Sequence, residues 1–255
     1  MPRALGKVYL VGAGPGAPDL ITVRGAEILK RADIVFHDAL VHPEVLALAA
    51  RAEKIAVGKR CGKHVTAQQF INKRLVDAVR KHGVVVRLKG GDPMLFGRAQ
   101  EEIAVLKRAG VPYEVVPGVT SAQAAAAEAG ISLTQRGLAR SVAFVTPRVG
   151  EGEAPSAWAK TAAAADTAVI YMGAGQAAEI AAALIAAGAP RDLPVLVAEN
   201  ATLPEARCLA LTLRELPHIA EHGLTGPTLI MLGRVFASAL AASAESGVLP
   251  ACKTA

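Results

Sequence analysis

Several features are scarce in this chain of 255 residues, and each scarcity excludes something. Aromatic residues make up only 4%, so the core has to consist mainly of Ala, Val, Leu and Ile. The three cysteines, Cys61, Cys208 and Cys252, lie far apart, and neither they nor the histidines show the spacing of a metal site. We therefore expect no metal. The cysteine usage also argues against a disulfide framework and fits a reducing compartment.

Long uncharged hydrophobic runs are also missing, because Glu128, Asp166 and Glu179 interrupt the alanine-rich segments. None of these segments approaches the length of a membrane span. No apolar leader precedes the first strand pattern, at residues 7–11. We therefore expect a cytoplasmic protein with no membrane partner.

The residues that are abundant indicate a folded protein with an anionic ligand. Hydrophobic residues make up 52% and charged residues 20%, as in compact globular proteins. The net charge of +6 favours an anionic partner through long-range attraction. No basic run with interleaved aromatics and no nucleic-acid reader motif is present, so we expect no nucleic acid. A small polyanion fits the charge equally well.

Alternating strand and helix patterns predict two α/β domains. Residues 1–117 contain five apolar strand patterns separated by helical ones, which is typical of an α/β unit with a largely parallel sheet. Pro117-Gly118 breaks the pattern, and we place the domain boundary there. Residues 118–245 carry the second set of strands and helices, and we expect residues 246–255 to be a flexible tail.

The most informative stretch is residues 84–98. Val84 to Leu88 predicts a buried strand, and the sequence Gly90-Gly91-Asp92-Pro93 ends it. Adjacent glycines let the backbone approach a ligand closely, and Asp92 follows the carboxyl end of a strand, where open α/β sheets bind ligands. An ordinary strand-to-helix turn is the alternative. A second glycine-rich turn, residues 12–16, follows the first predicted strand, and two such turns indicate one site.

Other candidate residues near these turns also have structural alternatives. Asp38 ends the second predicted strand and is either a site carboxylate or a helix cap. Thr120 and Ser121 begin an alanine-rich helix and are caps, ligand contacts or both. Met172 ends the predicted strand 168–172, where a core role is the alternative. Four basic residues form either an anion-facing wall or a solvated rim: Lys59, Arg60, Lys63 and Arg98.

A dinucleotide site is the strongest rival interpretation of the first glycine turn. Gly12-x-Gly14-x-x-Ala17 formally matches the dinucleotide fingerprint. Pro15, however, removes a backbone N–H that a pyrophosphate needs. The first helix is also predicted to begin only at Thr22, too late to hold a phosphate together with the turn.

A series of short motifs runs from Val8 to about Val235. They are VGAGPG (11–16), DALV (38–41), VGKRxG (57–62), RLKGGDP (87–93), FGR (96–98), VPGVTSA (116–122), AGI (129–131), RGLARSV (136–142), YMG (171–173) and ENAT (199–202). In this order and spacing they resemble the tetrapyrrole methylase superfamily, and within it the uroporphyrinogen-III C-methyltransferases.

The resemblance implies two α/β domains, each with a mainly parallel or mixed sheet flanked by helices, and S-adenosylmethionine bound in a cleft between them. It also implies a homodimer formed through the C-terminal domain. It assigns a proton acceptor to Asp38 and a proton donor to Lys59. Its cofactor contacts are Pro15, Gly90, Gly91, Asp92, Leu95, Thr120, Ser121, Met172, Ala201 and Thr228. The basic wall for a tetrapyrrole's carboxylates is Arg60, Lys63, Arg98 and Arg136, together with Lys59.

The implied reaction is methylation of uroporphyrinogen III at C2 and C7, giving precorrin-2 through precorrin-1, with S-adenosylhomocysteine as by-product, in sirohaem or cobalamin biosynthesis. A sister methylase of a later corrinoid precursor, such as precorrin-4, is an alternative, as is a non-catalytic anion- or RNA-binding module. The chain departs from the family pattern at Ser132, Gln135, Pro147 and Arg148. These departures bear on substrate orientation and the second methylation more than on cofactor binding.

Overall fold

The computed structural model describes residues 5–57, 64–150, 152, 154 and 156–246. The chain divides into two units, Met1–Ser121 and Ala122–Ala255. The predicted fold class is confirmed, because each unit contains a five-stranded sheet with helices packed against it. In the described residues, no helix has both the length and the hydropathy of a membrane span.

The sheet of the first unit is parallel throughout, in the order β3-β2-β4-β1-β5. Its strands are β1 (Lys7–Gly12), β2 (Ile34–His37), β3 (Glu53–Ala56), β4 (Val84–Lys89) and β5 (Tyr113–Val116). Its helices are α1 (Val23–Lys30), α2 (Pro43–Ala47), α3 (His64–Ala78) and α4 (Ala99–Arg108). Because all five strands run the same way, every carboxyl end lies at one edge of the sheet.

Alternation along the central strands builds a core on each face of this sheet. Val8 and Leu10 pack with residues of α3 and α4, such as Leu75 and Leu106. Tyr9, Val11 and Leu88 face the opposite side, and they pack with α1 and α2. Helix α1 begins where predicted, because the Thr22 hydroxyl accepts a hydrogen bond from Gly25 N at 3.2 Å.

The second unit has a mixed sheet in the order β6-β7-β10-β8-β9, in which only the β6–β7 pair is parallel. Its strands are β6 (Val142–Val145), β7 (Thr167–Ile170), β8 (Pro194–Glu199), β9 (Arg207–Thr212) and β10 (Thr228–Gly233). Its helices are α5 (Ser121–Glu128), α6 (Trp158–Ala164), α7 (Ala177–Ala186) and α8 (Ala237–Ser246). Helices α6 and α7 pack on one face, and α5 and α8 on the other.

Three details differ from the sequence predictions. Helix α6 was not predicted from the sequence. The predicted strand 168–172 ends at Ile170. Cys208 is disulfide-bonded, whereas the cysteine usage argued against a disulfide framework. Of the predicted tail, 246–255, all but Ser246 lies outside the described residues.

Candidate functional site

The two glycine turns lie against each other at the carboxyl edge of the parallel sheet. Strands β1 and β4 are neighbours, and Gly12 pairs in register with Lys89. Beyond the strands, Ala13 N donates to Lys89 O at 2.8 Å, and Gly91 N donates to Gly14 O at 2.7 Å. The structure thus brings both turns together, and their forming one ligand site stays a prediction.

Glycine is required here because three backbone segments meet without side chains between them. A Cβ on Gly118 would lie 2.3 Å from Gly91 O, and one on Gly12 would lie 2.6 Å from Gly118 Cα. Gly91 itself adopts φ +65°. Its only neighbour in the direction of a Cβ is Thr120 Cα, at 4.0 Å, so the backbone of Gly91 is open on that side. The buried residue Thr120 thus flanks the open face of the second turn.

The carboxylate of Asp92 joins the second turn to the segment that follows β5. Its Oδ1 accepts a hydrogen bond from Met94 N at 2.8 Å, and its Oδ2 accepts one from Gly118 N at 2.9 Å. Asp92 therefore has a structural role that the sequence did not reveal. Each carboxylate oxygen retains acceptor capacity after one such bond, and the residue is only half-buried, so a ligand can still be bound.

Asp38 lies beside the same turn, since β2 is the other neighbour of β4. Its Oδ2 accepts a hydrogen bond from Gly90 N at 3.2 Å, and its Oδ1 accepts one from Leu40 N at 3.1 Å. The helix-cap alternative is wrong for Asp38, because His42 caps α2 through Nδ1. The half-buried Asp38 carboxylate is thereby fixed at the carboxyl edge of the sheet, next to Gly90.

A buried ionic cluster lies at the end of β4, below the turn. The fully buried carboxylate of Glu102 accepts hydrogen bonds from Arg87 Nε at 3.0 Å and from Lys89 Nζ at 3.2 and 3.3 Å. Gln68 also donates to Glu102, at 3.3 Å. Burial, and then the Arg87 charge, lower the pKa of Lys89, while Glu102 and Asp38 raise it; the net shift is downward.

The remaining predicted residues of the first unit differ in exposure. Pro15 and Leu95 are half-buried in the turns, and Ser121 is the first residue of α5. Arg98 is exposed at φ +55°, and its guanidinium donates to Glu101 at 2.6 and 2.8 Å. Three predicted basic residues lie outside the described residues: Lys59, Arg60 and Lys63.

In the second unit, three predicted residues share one edge of the mixed sheet. Met172 follows β7, Ala201 follows β8, and Thr228 begins β10, which runs antiparallel between those two strands. The core alternative for Met172 is wrong, because this residue is 46% exposed and adopts φ +58°. Ala201 is buried, and Thr228 donates from its hydroxyl to Gly226 O at 2.9 Å.

Two acidic residues that were not among the predicted site residues hold this edge together. Glu199 accepts hydrogen bonds from Thr225 N at 2.5 Å and Gly226 N at 2.6 Å, and it pairs with Arg207. Burial acts to raise the pKa of Glu199, but these hydrogen bonds outweigh it and the pKa lies below its usual value. Glu128 accepts a hydrogen bond from Thr202 N at 2.8 Å, directly after Ala201, and burial raises its pKa.

The positions that depart from the family pattern lie in loops of the second unit. Gln135 and Ala139 pair through backbone hydrogen bonds of 2.9 and 2.8 Å, and Arg136 is exposed at the tip between them. The Ser132 hydroxyl accepts from Thr134 N at 3.3 Å, which holds a tight turn. Ser132 also lines a surface pocket of about 480 Å³, and Phe144 is another of its lining residues. Pro147 is half-buried and Arg148 is exposed.

The described residues contain no group of three or more His, Cys, Asp or Glu side chains arranged to hold a metal ion. The roles of Lys89, Glu102 and Gly118 at this edge of the first sheet were not predicted from the sequence. Lys89 and Gly118 lie inside recognisable motifs. Glu102 looks like any acidic residue in the first turn of a helix.

Comparison with known proteins gives a consistent result. The sequence model of the Tetrapyrrole (Corrin/Porphyrin) Methylases matches residues 7–217. Siroheme synthase 1 of Klebsiella pneumoniae is 46% identical over 234 residues, which is 91% of this chain and 50% of that protein. The chain thus spans about half the length of the curated relatives it matches.

Solved structures agree with the sequence matches. Uroporphyrin III C-methyl transferase from Thermus thermophilus is 42% identical, with a TM-score of 0.80 over 91% of this chain and 100% of that one. The same transferase has been solved in complex with S-adenosyl homocysteine. A cobalt precorrin-4 methyltransferase is 32% identical, with a TM-score of 0.79 over 90% of this chain and 95% of that one.

Proposed function

Because the chain belongs to the tetrapyrrole (corrin/porphyrin) methylases, we propose that it transfers methyl groups from S-adenosylmethionine to C2 and C7 of uroporphyrinogen III. The products are precorrin-2, formed through precorrin-1, and S-adenosylhomocysteine. One finding supports this choice over the precorrin-4 enzyme. At almost equal coverage and TM-score, the identity to a uroporphyrin III C-methyl transferase is 42%, against 32% to the precorrin-4 enzyme.

The observation that carries the proposal is the pair of interlocked glycine turns at the carboxyl edge of the parallel sheet. Gly91 leaves its backbone open on one side, and Thr120 flanks that opening. Asp92 offers spare acceptor sites to hydroxyl or ammonium groups. A cationic donor that carries ribose hydroxyls and an amino group fits these features. We assign cofactor contacts in this unit to Pro15, Gly90, Gly91, Asp92, Leu95, Thr120 and Ser121, and the contacts of Met172, Ala201 and Thr228 stay predictions from the resemblance.

When bound, S-adenosylmethionine supplies an activated methyl group, and the protein supplies alignment and charge. The glycine turns hold the donor through backbone groups fixed by the Gly14–Gly91 pairing, so little reorganisation is needed on binding. Alignment of this kind contributes about 7–11 kcal/mol to catalysis. We therefore regard this edge of the sheet as the main source of the rate enhancement.

Asp38 accepts the proton that the tetrapyrrole loses after methylation. Hydrogen bonds from Gly90 N and Leu40 N hold its carboxylate in one orientation beside the glycine turn. A positioned base contributes roughly 100- to 10,000-fold to the rate. Lys59, the proposed donor, lies outside the described residues, and its role rests on the resemblance alone.

The substrate is a polyanion, and the excess of basic residues in the sequence supports its binding. Arg98 is exposed, and its ion pair with Glu101 orients its guanidinium. Arg136 is exposed at the tip of the turn that Gln135 and Ala139 close. With Arg60 and Lys63, these residues form the proposed wall for the substrate's carboxylates. We also propose a homodimer, which light scattering on the purified protein tests.

The decisive test supplies enzymatically generated uroporphyrinogen III and methyl-labelled S-adenosylmethionine, and counts labelled methyl groups per macrocycle by mass spectrometry. We expect two methyl groups. Label on a precorrin-4 substrate but none on uroporphyrinogen III would favour the sister methylase. Absence of label from both uroporphyrinogen III and the precorrin-4 substrate would contradict the proposal.

Two substitutions separate cofactor binding from turnover. We expect Asp92→Ala to abolish S-adenosylhomocysteine binding in calorimetry, both by removing a ligand acceptor and by releasing Gly118 N. Asp38→Ala keeps that affinity and loses turnover. Asp77→Ala, on an exposed position of α3, is the control and changes neither. Unchanged affinity in Asp92→Ala, or full activity in Asp38→Ala, would contradict the corresponding assignment.

A further inference from the structure

Lys89 is a buried charged residue to which the proposed mechanism gives no role. Its side chain is 5% exposed, and it lies at the end of β4, between the strand and the glycine turn. Burying a lysine is costly unless its charge is compensated. A buried lysine at the edge of a proposed active site therefore calls for a physical reason.

Three parts of the structure meet at Lys89. Its ammonium binds both carboxylate oxygens of Glu102, at 3.2 and 3.3 Å, which joins β4 to α4. Its carbonyl accepts the hydrogen bond from Ala13 N, which fixes the first glycine turn. The peptide group that it shares with Gly90 supplies the N–H that donates to Asp38 Oδ2. A displacement of the Lys89 backbone therefore moves both glycine turns together with one of the two backbone hydrogen bonds of Asp38.

Gly97 leaves room for the lysine stem. A Cβ on Gly97 would lie 3.0 Å from Lys89 Cε and 2.5 Å from Pro93 O. Phe96 and Arg98, on either side, both adopt positive φ, which turns the chain over the stem. The RLKGGDP and FGR motifs therefore form one local structure. The first motif supplies the end of β4, the buried Lys89 ammonium and the second glycine turn, and the second motif packs against the Lys89 side chain.

One positive and two negative side chains act on the charge of Lys89. Arg87, on the same strand, repels it; Glu102, on α4, and Asp38, after β2, attract it. Gln68, from α3, adds an uncharged donor to Glu102. Glu102 is shared between two cations, so one positive charge of the cluster is left to be balanced by Asp38.

We propose that Lys89 is a positioning residue for Asp38, acting through the Lys89–Gly90 peptide group and through its buried ammonium, which serves as a counter-charge to the Asp38 carboxylate. The role of Asp38 as proton acceptor rests on the proposed function. The coupling between the two residues does not, because it is a property of the folded chain alone.

The coupling is measured by nuclear magnetic resonance on the ligand-free full chain with 13Cε- and 15Nζ-labelled lysine. The Lys89 side chain is titrated in the wild type and in Asp38→Asn. Coupling free energies are reciprocal, so loss of the Asp38 charge must lower the pKa of Lys89 further. Asp77→Asn, on the exposed side of α3, is the matched control and leaves the Lys89 titration where it was. An unchanged Lys89 titration in Asp38→Asn overturns the inference.

Kinetics give a second measurement. The variant Lys89→Met keeps an unbranched stem of similar length and leaves Arg87 and Glu102 as a balanced buried ion pair, so it removes the ammonium without leaving an unpaired buried charge. We expect it to keep its affinity for S-adenosylhomocysteine and to lose on the order of 10-fold or more in kcat, part of the contribution of a positioned base. A loss of affinity for S-adenosylhomocysteine with unchanged kcat would show that Lys89 has only a structural role and would overturn the inference.

These outcomes distinguish the inference from the proposed function. If the wild type methylates uroporphyrinogen III but Lys89 does not respond to Asp38→Asn, the inference fails and the function stands. If Lys89 responds but no tetrapyrrole is methylated, the proposed function fails and the coupling stands.

Discussion

Removing the charge of Glu102 gives the sharpest test of the buried cluster. Glu102→Gln changes the shape of the side chain very little, but it leaves Arg87 and Lys89 buried with no carboxylate between them. Removing one partner of a buried ion pair typically costs about 3–5 kcal/mol, because an uncompensated charge stays in the interior. We expect Glu102→Gln to destabilise the first unit by that amount.

The neighbouring residue supplies a matched control. Glu101 pairs with Arg98 in the first turn of the same helix, but both side chains are close to half exposed. Exposed pairs of this kind contribute about 0–1 kcal/mol. Glu101→Gln should therefore leave stability almost unchanged, although it makes the same chemical change one position earlier in the chain.

The assay has to report on the first unit. Trp158, the single tryptophan, lies in α6 of the second unit, so its fluorescence is unsuitable. Hydrogen exchange of peptides from β4 and α4, followed by mass spectrometry, measures the free energy of opening where the change is made. A cost of 3–5 kcal/mol corresponds to about 150- to 5,000-fold faster exchange of the most protected amides. Equal exchange in Glu102→Gln and Glu101→Gln would refute the idea that a buried charge cluster fixes the end of β4.

Two further predictions concern packing and pH. Gly118→Ala should lower the affinity for S-adenosylhomocysteine in calorimetry by at least 10-fold, because the new Cβ would clash with Gly91 O. Gly175→Ala is the control and should bind normally, because a Cβ at Gly175 meets nothing within 4 Å. Equal affinities of the two variants would contradict the close packing of the turns. For Glu128, burial raises the pKa above the ordinary value of 4.5, so its contribution to stability is complete below about pH 4.5 and is lost as pH rises through the folded pKa. Relative to Glu128→Gln, the wild type should lose stability in urea unfolding as pH rises from 4.5, and a difference that is independent of pH would contradict the assignment.

Local sequence predicted the parts of the structure that are locally determined. The glycine turns at 12–16 and 90–91, the strand before each and the Thr22 cap follow from residues close together in the chain. The family and the fold class were also predictable, because motifs spread along the chain keep their order and spacing. The parallel order of the first sheet then brings the two turns together.

Long-range partners were not predictable. The sequence offers Asp92 as a ligand-binding carboxylate, but only the fold shows that Gly118, 26 positions away, donates to it. Glu102 resembles its exposed neighbour Glu101, and the difference lies in which side of α4 faces the sheet. The exposure of Met172 depends on its positive φ just after β7, which apolar neighbours do not reveal.

The central claim is that the interlocked glycine turns at the carboxyl edge of the first sheet form the binding site of the methyl donor. A crystal structure of this chain grown with S-adenosylhomocysteine tests it most directly. We predict density for the ligand in contact with the backbone of residues 90–92 and beside Thr120. Well-defined density for the ligand at any place that leaves this turn untouched would contradict the account.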